Sequence, residues 1–198
     1  MNVVRTAFLA LGAIFALVLI GVGIFSYLIT GPAPTYAGAA VEVSNEAAAS
    51  LDSKIEAFRQ DIGQASPGDV VTLWVTQEEA TSKVNRLAEE GKLPLEMNYV
   101  QIHFEDGTVY GSAMVDLLID IQVAVQAEIG VDEEGIPKIT INRLNFGRLS
   151  IPRTLVENVM VAVMKKVEER LEALPFALRE ITIGDGEIII TTQVKCSP

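Results

Sequence analysis

The chain has 198 residues, 49% of them hydrophobic and 21% charged, and a net charge of −11. That balance excludes a disordered chain and a multi-pass membrane protein, and the acidity argues against a nucleic-acid partner, because neutralising phosphates takes clustered Lys and Arg. A single cysteine and a single histidine exclude an internal disulfide framework, a thiolate zinc site and His-rich catalysis.

No charged residue stands between Arg5 and Glu42. Thr6 to Ile29 is mostly apolar, and as a helix it would run about 36 Å, enough to cross a ~30 Å hydrocarbon core. The expectation is a cytoplasmic tail over 1–5 and a transmembrane helix over 6–30. Arg5 precedes this stretch and no Lys or Arg follows it until Lys54, which keeps the N-terminus inside by the positive-inside tendency. The protein is then expected as a single-pass protein of the cell membrane with an extracytoplasmic C-terminal domain. Ala37-Gly38-Ala39 has the form of a processing site, but the apolar stretch exceeds the roughly 7–15 residues of a cleaved signal.

Residues 31–50, opened by Gly31-Pro32-Ala33-Pro34 and rich in Ala, Gly and Ser, read as a spacer that turns helical towards its end. An α+β domain is expected over 51–198. Leu51, Ile55, Phe58 and Ile62 lie on one helical face, and Ser66-Pro67-Gly68 stops that helix. Asp69 to Val75 is a β-type run. Thr76 and Glu79 then form a capping box for a helix with Ala80, Val84 and Leu87 on one face, ending near Gly91. Met97 to Phe104 alternates as a strand, and Asp106-Gly107 is a hairpin turn signal.

From Val109 to Ile129 every odd position is apolar or Gly. As one straight strand this run would span about 70 Å, far more than a compact domain with a radius of gyration of ~15 Å. Because a turn would usually reset the alternation, the expectation is one strand that bends. Gly130 to Pro137 is a polar turn, and Lys138 to Asn145 is a strand with Ile139 and Ile141 inward. A long amphipathic helix follows Pro152, and Leu178 to Lys195 folds back as a hairpin around Gly184-Asp185-Gly186. The expected fold class is therefore α+β: a transmembrane helix, then a strongly curved antiparallel sheet wrapped on a long amphipathic helix.

No constellation of residues names a reaction. Asp116 and Asp120 would stand about 13 Å apart along one strand face, too far to share a proton. Asp132-Glu133-Glu134 lacks the ligand spacing of a calcium loop. His103 falls on the polar side of its strand and reads as a surface histidine, and Cys196 reads as an unpaired thiol. Neither a phosphate loop nor a nucleophile elbow is present. No catalytic residue, metal or cofactor is expected, and the protein is not expected to be an enzyme.

The apolar stripes suggest instead an elongated interior. Val115, Leu117, Ile119, Ile121 and Val123 of the sheet would face Leu155, Val159, Met160, Val163, Met164 and Val167 of the helix, with the methionines as adaptable fillers. The chain resembles the YpmS family of bacterial single-pass membrane proteins. The resemblance lies in the N-terminal apolar segment, the capped helix over Val75-Thr76-Gln77-Glu78-Glu79 to Asn85, the Asp-Gly hairpin followed by Gly111, and above all Phe146-Gly147-Arg148-Leu149-Ser150-Ile151-Pro152. More distantly it resembles the tubular lipid-binding proteins, including the LmeA type. That resemblance implies a sheet around a long helix and a lipid as ligand. The expected function is a non-enzymatic domain, membrane-anchored and extracytoplasmic, that binds lipid or another apolar ligand; the alternative is a scaffolding envelope protein with a filled core and protein partners.

Overall fold

The computed structural model describes residues 19–21, 23–24, 26–34, 38–93, 95–116, 119–132, 135–172 and 174–195; the side chains of Val159 and of residues 162–163 and 166–172 lie outside the description. After a helical stretch that ends at residue 30 come α1 (Asn45–Gln64), β1 (Val70–Thr76), α2 (Gln77–Glu89), β2 (Met97–Glu105), β3 (Thr108–Asp116) and β4 (Asp120–Val131). Then follow β5 (Pro137–Phe146), β6 (Leu149–Ser150), α3 (Arg153–Glu172), β7 (Phe176–Gly184) and β8 (Glu187–Val194). The strands form two antiparallel sheets, β1-β8-β7 and β2-β3-β4-β5-β6.

The α+β class with antiparallel pairing holds, but the single strongly curved sheet does not form. The alternating run divides into β3 and β4, and Asp116 and Asp120 become direct cross-strand partners. The three-residue connection explains why the alternation hides the turn. It pairs i with i+4, so odd residues face odd residues: Val115 opposes Ile121, Ala113 opposes Val123, and Gly111 opposes Val125. The apolar face continues through the turn without a change of phase. Among the described elements α3 packs chiefly on β5.

The membrane-spanning helix, and with it the single-pass cell-membrane location, is also corrected: no helix among the described residues is long and apolar enough to cross a membrane. The described helical residues of that region fall between 19 and 30, about 18 Å of helix against a hydrocarbon core of ~30 Å. Residues 1–18 of the expected tail and span lie outside the described residues.

The end of this first helix is tied to the large sheet by the turn between β5 and β6. Arg148 N–H donates to the Leu28 carbonyl (2.7 Å), Arg148 Nη1 to the Tyr27 carbonyl (3.4 Å), and the guanidinium lies 4.3 Å from the Tyr27 ring centre. Carbonyls that a helix end leaves without partners are thus met by one arginine. Gly147 N–H donates to the Gln122 carbonyl (2.7 Å). Part of the expected spacer then lies on the polar face of the sheet as a strap. Ala33 N–H donates to Gln122 Oε1 (3.0 Å) and Val41 N–H to Gln101 Oε1 (2.7 Å), and both residues are buried.

α2 docks on the edge of β2 through polar side chains. Thr81 Oγ1 accepts from Ile102 N–H and donates to the Ile102 carbonyl, while Asn85 makes the same reciprocal pair with Val100. The capping box at Thr76 forms. Its Glu79, 5% exposed, also accepts from Ser50 Oγ (2.6 Å) and Lys54 Nζ (2.8 Å), joining α1 to α2. Asp52 adds ion pairs to Lys83 and Arg86.

Gly147 has φ 55°, and a Cβ there would stand 2.1 Å from the Ile29 carbonyl oxygen; Gly91 has φ 64° with nothing within 4 Å. Gly91→Ala is expected to cost about 1 kcal/mol of backbone strain. Gly147→Ala is expected to cost more than ~3 kcal/mol and to release the strap, read as lost hydrogen-exchange protection at Ala33 and Val41. Equal losses in denaturant unfolding would refute the docking role. For Glu79, burial is the largest influence and pushes the carboxyl up, but the hydrogen bonds from Lys54, Ser50 and Thr76 N–H outweigh it and hold the pKa below the ordinary 4.5. A lowered folded pKa gives stability that is full above the unfolded value and lost as pH falls through the folded one. Glu79→Gln is therefore expected to cost about 2 kcal/mol at pH 7, with the gap to wild type closing below pH 4.5. A gap that stays constant down the acid limb of thermal melts would contradict this.

Candidate functional site

The odd-numbered apolar face extends across four strands because two bulges correct its phase. In β5 the register shifts opposite Gln126/Ala127, so Ile139 and Ile141 share a face with Leu144 and Phe146. In β2 it shifts between Asn98 and Gln101, so Met97 shares a face with Ile102 and Phe104. Each bulge inserts one residue and re-aims the side chains beyond it. Tyr99, in the β2 bulge, has φ 51° and is 78% exposed.

The small sheet covers one end of this face. β7 lies against β4 and β2, Gly186 N–H donates to the Phe104 carbonyl (2.9 Å), and Gly107 N–H donates to the Ile183 carbonyl (3.1 Å). The opposite end is open. There Leu95, Met97, Val100, Val115, Val123 and Phe146 surround a hollow of about 310 Å³, with Gly111 and Ala113 on its floor and only apolar surface exposed inside. This volume falls at the lower end of the ~300–1,000 Å³ of small-molecule sites. Gly111 is required by close packing, since a Cβ there would meet Val125 Cγ1 at 2.9 Å.

The expected groove residues separate into distinct places. Val115 and Val123 line the hollow, Ile121 is buried beside them in register with Val115, and Ile119 is exposed in the turn. Leu117 lies outside the described residues, as do the side chains of Val159, Val163 and Val167. Leu155 is 57% exposed on α3. Met160 and Val156 line a separate crevice with Ile139 and Ile141, and Met164 is half-buried. Among the described residues, Val115, Ile121 and Val123 are thus brought together, while Leu155 and Met160 stand elsewhere. Sequence reasoning missed Leu95, Met97 and Phe146. For Met97 and Phe146 the signal was an apolar residue out of phase with its strand, which is the mark of a bulge; Leu95 precedes β2 and carried no such signal.

The other face of the large sheet is polar. Its register sets His103, Tyr110, Gln126 and Arg143 in one row across four strands, and Gln101, Ser112, Ala124 and Asn145 in the next. His103 is buried rather than exposed, in a second hollow with Tyr99, Gln101, Ser112 and Gly38 of the strap. Asp116 and Asp120 are exposed, Glu133, Glu134 and Cys196 lie outside the described residues, and no metal-binding group of His, Cys, Asp or Glu occurs among the described residues.

No family model, curated protein or solved structure matches the chain. The functional reading accordingly stands on its own residues.

Burial lowers the pKa of His103 from the ordinary 6.5, and the Glu105 charge opposes this only in part. A lowered folded value means that the neutral ring stabilises the fold above pH 6.5 and that this is lost as pH falls through the folded pKa. As the chain has one histidine, its ring resonances need no assignment. Their NMR titration midpoint is expected below 6.5, and a midpoint at or above that value would contradict the dominance of burial over the Glu105 charge.

Proposed function

We propose that the protein binds the acyl chain of a lipid in the open hollow at the uncovered end of the large sheet. One observation carries this reading: the hollow exposes only apolar surface, although it opens to the outside. Water gains little in such a site, and an apolar cavity of about half this volume is enough to hold benzene. With no polar group inside to read a headgroup, recognition rests on chain length, and the headgroup stays outside. The net charge of −11 disfavours anionic headgroups and suits a neutral or zwitterionic lipid. Val115, Val123 and Phe146 make the walls, and Gly111 and Ala113 leave the space.

The test uses the full chain in a non-ionic detergent and zwitterionic lysophosphatidylcholines of graded chain length. Each added methylene is expected to tighten binding about fourfold until the hollow is full, from ~0.8 kcal/mol per buried methylene. Ala113→Trp is expected to abolish binding by filling the space, while Met160→Trp, on the separate crevice of α3, leaves it intact. Affinity that is indifferent to chain length, or equal loss in both variants, would end the proposal and favour a scaffold acting through protein partners.

A further inference from the structure

A further hollow lies on the polar face beside Pro34 of the strap, and a residue with a buried, unpartnered donor is among those that line it. Asn145 is 3% exposed, and its Nδ2 has no hydrogen-bond partner. Such a group costs roughly 1–3 kcal/mol when nothing meets it, and folded proteins keep few of them. Asn145 lines a space of about 80 Å³ together with Pro34, Tyr110, Ala124, Gln126 and Arg143. The register assembles this group: Gln126 stands opposite both Tyr110 and Arg143, and Ala124 stands opposite Asn145, its small side chain leaving the room. Arg143 is exposed and takes part in none of the ion pairs among the described residues, in a chain whose acidic residues outnumber its basic ones by 26 to 15. Pro34 lines the space without adding an N–H of its own.

We infer that this hollow is a binding site for a carboxylate group, held by the Arg143 guanidinium and the buried Asn145 Nδ2. The guanidinium offers two parallel donors in the geometry of a carboxylate, and the carboxamide and phenol of Gln126 and Tyr110 complete a polar wall. The space equals only two or three waters at ~30 Å³ each, so it admits the charged group of an acid and leaves the rest of the molecule outside. It lies on the opposite face of the sheet from the apolar hollow and is independent of the lipid reading.

The experiment follows the Asn145 side-chain NH₂ signals of the full ¹⁵N-labelled chain in non-ionic detergent, titrated with sodium acetate against sodium chloride at equal ionic strength. A saturable shift with acetate alone is expected. Arg143→Gln should weaken acetate binding roughly tenfold, and Arg59→Gln, on the exposed side of α1, should not change it. An equal response to chloride, or an equal response in Arg143→Gln, would mean an adventitious ion only and overturn the assignment. So would an NH₂ signal that ignores acetate and cross-relaxes with a long-lived water, because the water would then be the partner of Nδ2.

Discussion

The pairing of Asp116 with Asp120 decides which face each side chain of β3 and β4 takes. A connection of three residues preserves the odd-to-odd register, and the apolar positions of β3 and β4 fuse into one surface. A connection one residue shorter would have turned the β4 set to the other side. The two bulges extend the surface outward, bringing in Met97 on one flank and Leu144 and Phe146 on the other. Once this face is continuous, its fate depends on what covers it. β7 takes the end near Phe104 and α3 leans on β5, so the remaining end, around Val115 and Val123, keeps its space.

The polar face is covered in a different manner. A segment without regular secondary structure lies on it, fixed by the carboxamides of Gln101 and Gln122 and by the Gly147-Arg148 turn. The large sheet thus separates two chemistries by its own thickness: an apolar hollow without donors on one side, and small polar spaces under the strap on the other. Gly111 touches both, and its missing Cβ leaves room for the Val125 side chain opposite it.

Much of the secondary structure was legible from periodicity. The capping box at Thr76 and Glu79, the Asp106-Gly107 turn, the helix after Pro152 and the closing hairpin fall where the pattern put them. What stayed hidden has common physical causes. The break between β3 and β4 left no trace because the pairing of Asp116 with Asp120 conserves parity, and the bulges appeared only as apolar residues out of step. The strap reads as a spacer because its partners are side chains some 60 to 90 positions away, and composition carries no sign of such pairing. An uncharged apolar stretch gave length for a membrane span, whereas among the described residues no helix meets that requirement. The places of Val115 and Val123 were readable, since they sit on a strand face whose orientation follows from alternation. Those of Leu155 and Met160 were not, because amphipathicity says that a stripe will be covered and not by what.

The Thr81 and Asn85 contacts on β2 bear on how the protein meets copies of itself. β2 is the terminal strand of its sheet, and its outward amides and carbonyls are a template on which a further strand can assemble. Two side chains from α2 occupy those groups at Val100 and Ile102 as a strand would, but a helix offers no second edge to continue the pattern. Sheet growth stops there. Polymerisation through that border is blocked by four hydrogen bonds, with no charge or proline on the strand segment they protect.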